Sequence, residues 1–242
     1  MFRSQLVIAA TSAALFLAAL GAAVRAGAPA ADARTEAEFL SLFDGSTLQG
    51  WTDTNGKPPS AGWEVKDGAI HRNAAKAGNL ITERQFDNFD LRFEWKLNKG
   101  GNSGLKYRTF PVPKKGLYGC EYQILDDDNH SNGKKATTRL GALYDLYAPD
   151  EGQKVVKPTG EFNASRVVAQ GTRIEHWLNG KKILEIDTAS DEWKDRVAKS
   201  KFKTFKEFAA EKPGPILLQD HGNEIWFRNI VIRPLPPRPA AE

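Results

Sequence analysis

Residues 91–97 read LRFEWKL, with Leu91, Phe93, Trp95 and Leu97 on one side of an extended chain and Arg92, Glu94 and Lys96 on the other. A period of two fits a strand with one buried face and does not fit an amphipathic helix, whose apolar positions recur at three and four. Shorter lengths of the same pattern fill most of the chain. WEVKDGAI has strand-like residues on each side of Asp67-Gly68, a dipeptide that suits a two-residue hairpin turn. SRVVAQGTRIEHWLNGKKILEI reads as three strands joined at Gln170-Gly171 and Asn179-Gly180, and GPILLQDHGNEIWFRNIVIRPL as two closing strands around Gly222-Asn223. Two segments break the rhythm. Residues 37–42 suit a short helix or an extended arm, and the charged stretch 190–208 has loose helical spacing and predicts a short helical excursion. Many short alternating strands and few helices predict an all-β fold, an antiparallel sandwich of the jelly-roll type.

The first thirty residues have the pattern of an export signal: Arg3, an apolar run from Leu6 to about Val24, and small residues in VRAGAPA that offer a cleavage site. The run also approaches the length of a membrane span, so an uncleaved anchor is the competing reading. No cysteine stands at its end, which argues against a lipoprotein. The expected organisation is a signal over 1–30, one domain over 31–235 and a disordered Pro-rich tail over 236–242. Cys120 is the single cysteine, so no disulfide can form within the chain. An exported chain without disulfides predicts a bacterial periplasmic or secreted protein, with no membrane association once the signal is cleaved. The formal charge of +4 includes Arg3 and Arg25, which would leave with the signal. No basic run with interleaved aromatics is present, which sets nucleic acid aside as a partner.

Candidate chemistry concentrates in residues 100–128, GGNSGLKYRTFPVPKKGLYGCEYQILDDD. Alternation puts Glu121 and Gln123 on one strand face, opposite Cys120, Tyr122 and Ile124, and it puts Lys106 and Arg108 together on the strand before. An arginine beside a carboxylate would orient it and hold it ionised. The GGNSG turn lets backbone approach a ligand closely, with Asn102 and Ser103 as polar groups at its rim. Gln219 and His221 share a face of ILLQDHG, and the imidazole falls where the strand ends. His176 alternates with Ile174 and Leu178, on a groove floor or buried; Tyr144 and Asp145 in GALYDLYAP suit stacking and hydrogen bonding. Planar amide, carboxylate and guanidinium groups on a sheet face point to a carbohydrate.

The run DDDNHSNG places Asp126, Asp128, His130 and Asn132 at every second position. A calcium loop of the EF-hand kind needs Gly at its sixth place and Glu at its twelfth. Counted from Asp126 those places hold Ser131 and Thr137; counted from Asp128, Gly133 fits but Arg139 does not. The run therefore reads as a solvated acidic loop, no cofactor is assigned, and a divalent metal is left open. No zinc spacing, nucleophile elbow or phosphate loop is present.

Seven segments in order, SLFDGSTLQGW, FDNFDLRFEWKL, GGNSGLKYR, GCEYQILDD, GALYDLYAP, HWLNG and ILLQDHGNEIWFRNIVIR, resemble the bacterial 3-keto-disaccharide hydrolase family, also described as 3-keto-glucoside 1,2-lyases and 3-keto-2-hydroxyglucal hydratases. The resemblance runs from about Ser41 to Leu235. It implies a concanavalin-like lectin/glucanase sandwich and an exported enzyme acting on oxidised glycosides. A C3 ketone acidifies the C2 proton; its removal gives an enediolate that expels the C1 substituent, and water addition makes the net result a hydrolysis. Such chemistry needs a base near C2, a donor for the C3 oxyanion and an acid near the leaving oxygen.

On the positions that match the family's segments, His221 or Glu121 is the expected base with the other as acid, and Arg108 or Gln123 is expected at the oxyanion. Asn102, Ser103, Gln219, Asp126, Tyr144 and His176 are the expected substrate contacts. A separate dehydrogenase would supply the ketone, since the chain has no dinucleotide fingerprint. Two alternatives stand beside this reading. A non-catalytic carbohydrate-binding module would show exposed aromatics, for which Trp51, Trp63 and Trp177 are candidates. A conventional glycoside hydrolase would carry carboxylates at alternate positions, where this strand reads Glu121-x-Gln123-x-Leu125.

Overall fold

The computed structural model describes residues 39–73 and 76–238; the signal reading, the start of the 37–42 arm and the end of the tail lie outside these residues. Its strands, in chain order, are β1 (Leu40–Ser41), β2 (Trp51–Asp53), β3 (Trp63–Lys66), β4 (Ala69–Arg72), β5 (Leu80–Phe86), β6 (Phe89–Leu97), β7 (Asn102–Val112), β8 (Gly116–Leu125), β9 (Asn163–Gln170), β10 (Arg173–Leu178), β11 (Lys181–Asp187), β12 (Gly214–Leu218) and β13 (Ile225–Pro234). One sheet has the order β11-β10-β9-β6-β13-β4-β3, with β1 on the C-terminal half of β13; the other is β2-β5-β12-β7-β8. All pairings are antiparallel. The two sheets pack face to face as an antiparallel sandwich.

Strand β6 shows why the layers meet. Leu91, Phe93, Trp95 and Leu97 are all buried, while Arg92, Glu94 and Lys96 are half-exposed on the outer face. Opposite them the five-stranded sheet buries Leu105, Tyr107, Cys120, Tyr122 and Ile124. Edge-to-face contacts bridge the layers, Phe89 to Tyr107 at 6.0 Å and Phe93 to Tyr122 at 5.7 Å. The polar ends of these aromatics are satisfied in sequence: Trp95 Nε1 donates to Ser165 Oγ (2.8 Å), which donates to the Tyr122 hydroxyl (2.9 Å), which donates to Trp177 O (3.2 Å).

The tight turns form where the dipeptides stand. Asp67-Gly68 joins β3 to β4 with φ of 52° and 72°, and Asn179-Gly180 joins β10 to β11 with φ of 45° and 81°, the left-handed pairs that a twisted hairpin requires. The described part of the 37–42 arm is extended, because Leu40 and Ser41 pair with Ile232 and Val231. The helical excursion is α1 (Asp191–Ala198), capped by Ser190 Oγ accepting from Trp193 N at 3.1 Å and opened by Asp191 and Glu192. The chain from 199 to 213 continues in turns rather than helix. The start of the Pro-rich tail is held, since Gln170 Nε2 donates to Pro236 O at 2.9 Å.

One irregularity redirects a predicted side chain. Between Tyr107 and Phe110 the β7–β8 register shifts, so that Arg108 and Thr109 oppose Gly119. Arg108 takes φ 47°, and a Cβ on Gly119 would stand 2.6 Å from Tyr107 O, so only glycine lets the bulge close. The bulge ends the alternation: Arg108 leaves the face of Lys106, is 2% exposed, and donates to Gly171 O (2.6 Å) and Ala209 O (3.3 Å).

Candidate functional site

The outer face of the five-stranded sheet is built row by row from the registers. Thr52, Ile81, Leu217, Lys106 and Glu121 lie across it in one row. The next row holds Gln219, Gly104 and Gln123, with Gln219 N donating to Gly104 O at 2.9 Å. Glu121 is the centre of the polar groups. Its Oε2 is 3.3 Å from Lys106 Nζ, and the two side chains are only 11% and 16% exposed. One amide atom of Gln123 lies 3.1 Å from Glu121 Oε1 and 3.3 Å from Ser103 O, both acceptors, so the amide nitrogen belongs there. A carboxylate receiving an ammonium on one oxygen and an amide N–H on the other is fixed in orientation.

The edge of β8 is covered by residues 139–147, and this brings Tyr144 in. Gln123 N donates to Ala142 O, Gly141 N to Gln123 O, and Tyr144 N to Glu121 O (3.1 Å). Lys201, from the turns after α1, stands over the Tyr144 ring at 4.3 Å. Partial desolvation draws the Lys201 ammonium below the ordinary lysine range against the opposing pull of Asp145 and Glu121. The Tyr144 phenol is pushed above its ordinary range by burial and by the charges of Glu121 and Asp145, so it is a proton donor at neutral pH. Asp145 is engaged by Lys135.

The other predicted residues have different places. Asn102 and Ser103 are buried rather than at a rim: Ser103 Oγ donates to Gln219 O at 2.8 Å, and the Asn102 amide faces Gln123 at 3.3 Å. Both therefore position residues that face outward. Gln219 is on the outer face beside Glu121. His221 is exposed in the loop after β12 and makes no hydrogen bond with the described residues. That loop is pinned from behind by a pair the sequence reading did not single out, Arg72 and Asp220, whose Nε and Oδ1 are 2.6 Å apart at 1% and 9% exposure. Asp220 Oδ2 also accepts from Gly78 N (2.8 Å), and Arg72 Nη1 donates to Asn223 O (3.1 Å).

Arg108 does not reach Glu121, for the reason given by the bulge. Asp126 is a structural joint: burial alone would raise its pKa, but N–H donors from Gly100 (2.7 Å) and Asn129 outweigh it and hold it ionised. Asp127 is taken by Lys154 (2.8 Å) and Leu140 N (2.8 Å). Among the described residues no group of three His, Cys, Asp or Glu side chains is placed to hold a metal ion.

His176 lies in the core, fully buried, instead of on a groove floor. Gly141 O can only accept, so Nδ1–H donates to it (2.9 Å) and Nε2 accepts from the Tyr107 hydroxyl (2.8 Å). The imidazole thus ties the segment carrying Tyr144 to the core. Burial lowers its pKa from 6.5 to about 4, against the stabilising effect of the Gly141 bond. The sign follows: the unfolded chain binds this proton more tightly, so the contribution is complete above pH 6.5, declines as pH falls through the window to about 4, and is then lost. A loss of roughly 3 kcal/mol over that window is expected from this group. Thermal melts across the window will show it, and a His176→Gln protein will show a flatter profile.

Two recesses lie away from Glu121. One of ≈ 460 Å³ is at an end of the sandwich between Asp126–Asp128, Arg139, Lys154 and Glu161, where Asp127, Lys154 and Glu151 close on one another. The other, of ≈ 620 Å³, is on the opposite sheet beside Arg92, Arg166 and Trp177. Of the tryptophans considered for a binding module, Trp51 and Trp63 are core residues at 2% and 4% exposure, and Trp177 is on the sheet facing away from Glu121. Among the described residues, the face around Glu121 combines a carboxylate, two cations, a phenol and the outward amide of Gln219, while Gln123 is buried beneath it at 1% exposure. Sequence reading missed Lys201, which no local pattern connects to Glu121, and passed over Lys106, which the alternation had placed correctly.

Comparison with known proteins shows the family. The profile of the 3-keto-alpha-glucoside-1,2-lyase-like domain matches residues 38–233. A 3-keto-disaccharide hydrolase of Bacteroides thetaiotaomicron is 32% identical over 229 residues, covering 81% of this chain and 78% of the relative. A crystal structure of a proposed glycosyl hydrolase from Parabacteroides distasonis superposes with a TM-score of 0.74 at 32% identity, covering 85% of this chain and 97% of that one. A second from the same organism gives 0.62 at 29% identity, covering 81% and 99%. The chain belongs to the 3-keto-alpha-glucoside-1,2-lyase-like family of carbohydrate-active proteins.

Proposed function

We propose that the chain cleaves 3-keto-glycosides by elimination followed by hydration. The observation that carries this is a single oriented carboxylate, Glu121, held between Lys106 and Gln123 with Tyr144 and Lys201 alongside. Ordinary glycosidases need two carboxyl groups, one free to donate a proton. Here the second acid of the neighbourhood, Asp145, is engaged by Lys135. Elimination needs one base and several donors, and that is the inventory of this face.

In this reading Glu121 takes the proton from C2. The electron pair moves to the C2–C3 bond, and Lys106 or Lys201 faces the negative charge on the C3 oxygen. Return of the pair forms the C1–C2 double bond and breaks the C1–O bond, and the leaving oxygen takes a proton from Tyr144. His221, at the end of the loop that carries Gln219, is the second candidate for that donor. Water then adds at C1 and a proton returns to C2. Gln219 holds a hydroxyl, Gln123, at 1% exposure, orients Glu121 from below, and Arg108 and His176 act through packing rather than contact. The leader-like sequence pattern over 1–30 fits action outside the cytoplasm on ketones made by a separate dehydrogenase.

Turnover of a 3-keto-α-glucoside with a chromogenic leaving group, beside its unoxidised parent, tests this. Release from the keto form alone is expected. Cleavage of the parent would assign an ordinary glycosidase, and binding without release from either would assign a binding module.

A further inference from the structure

Gly104 lies mid-strand in β7, paired with Gln123 on one side and bonded to Gln219 on the other. A glycine weakens a strand, so its presence there asks for a reason. Backbone conformation is not that reason, because its φ lies outside the left-handed region. Nor is it strand packing, as it is at Gly119 and Gly214, where a Cβ would stand 2.6 and 2.3 Å from a backbone oxygen. At Gly104 a Cβ would instead meet two side-chain oxygens, Glu121 Oε1 at 2.9 Å and Gln219 Oε1 at 3.1 Å. Gln219 Oε1 is buried and has no hydrogen-bond partner among the described residues. The absent side chain leaves a small space bracketed by two acceptors, one of them unsatisfied. Such a space calls for a donor.

We propose that this space is a hydroxyl subsite that makes Gly104 and Gln219 specificity-determining. The inference rests on the reading of Glu121 as the base at C2. If Glu121 takes the C2 proton, the hydroxyl on that same carbon is the group within reach of the space, and it donates to Gln219 Oε1. The enzyme therefore selects sugars with a free 2-hydroxyl. Elimination itself does not need that hydroxyl, since a 2-deoxy-3-keto-glucoside still has an acidic C2 proton and a leaving group at C1. Dependence on it would be recognition.

The test compares wild type and Gly104→Ala on a chromogenic 3-keto-α-glucoside and its 2-deoxy analogue, with binding of methyl α-glucoside and methyl 2-deoxy-α-glucoside measured by calorimetry in parallel. For wild type the 2-deoxy compounds are expected to be about tenfold or more worse, in kcat/KM and in affinity. Gly104→Ala, whose Cβ presses on Glu121 Oε1, is expected to lower turnover of both ketones but to bring the ratio between parent and 2-deoxy compounds, in kcat/KM and in affinity, to within about twofold of one, since the cycle isolates the shared interaction. Its thermal melt is expected to match wild type. Equal use and binding of both compounds by wild type would overturn the subsite while leaving the elimination reading intact. So would a Gly104→Ala protein that weakens both by the same factor. Binding that distinguishes the two sugars without turnover of either ketone would sink the elimination reading and keep the subsite. No binding and no turnover by wild type would overturn both.

Discussion

Glu121→Gln will lower kcat on a 3-keto-glucoside by about 10²- to 10⁴-fold, the range that a positioned general base contributes. The amide keeps the shape of the side chain but cannot take a proton from C2. Lys106, 3.3 Å away and 16% exposed, loses its partner charge, so a modest fall in melting temperature will accompany the loss. Affinity for the unoxidised sugar will change far less than kcat, because the hydroxyl-holding amide of Gln219 remains. Steady-state kinetics with a melt on the same preparation checks this. A Glu121→Gln protein that retains more than a tenth of wild-type kcat would remove Glu121 as the base.

The largest effect on stability is expected away from that carboxylate, at Asp220. Asp220→Ala leaves the Arg72 guanidinium buried at 1% exposure with its ion-pair partner gone. Breaking a buried pair by removing one member costs about 3–5 kcal/mol, more than the pair contributes over a matched apolar substitute. For a domain of this size that corresponds to a fall in melting temperature of about 6–20 °C. Activity will also drop, because Asp220 anchors the loop between Gln219 and His221 through Gly78 N and, with Arg72, Asn223 O. A paired Arg72→Met, Asp220→Leu protein will recover much of the stability, since no unpaired charge is then left inside. Calorimetric melts of the single and double variants decide the point, and a single-variant loss under about 1 kcal/mol would contradict the burial argument.

How far each element was legible follows from the range of the forces that set it. Strand β6 and the turns at Asp67-Gly68 and Asn179-Gly180 depend on neighbours two or three residues away, and they formed where the pattern placed them. The pairing of Glu121 with Gln123 rests on the same period of two and survives. Arg108 was misplaced because the bulge depends on Gly119, a residue on the next strand whose missing Cβ admits Tyr107 O. His176 alternates as a site residue would, but both faces of β10 look alike in one dimension, and only the facing Tyr107 and Tyr122 show that it points into the core. Asn102 and Ser103 were read as part of a turn, whereas β7 begins at Asn102 and buries both. Lys201 reaches Tyr144 only through the docking of residues 199–213, which no local periodicity encodes.

The most direct measurement of the central claim follows the hydrogen at C2. A 3-keto-α-glucoside cleaved in D₂O will give 3-keto-glucose with deuterium at C2 beyond that in an enzyme-free control or in a Glu121→Gln reaction, because elimination removes that proton and hydration returns one from solvent. Product that keeps its original C2 hydrogen while the glycosidic bond is cleaved would contradict the account and point to direct displacement at C1.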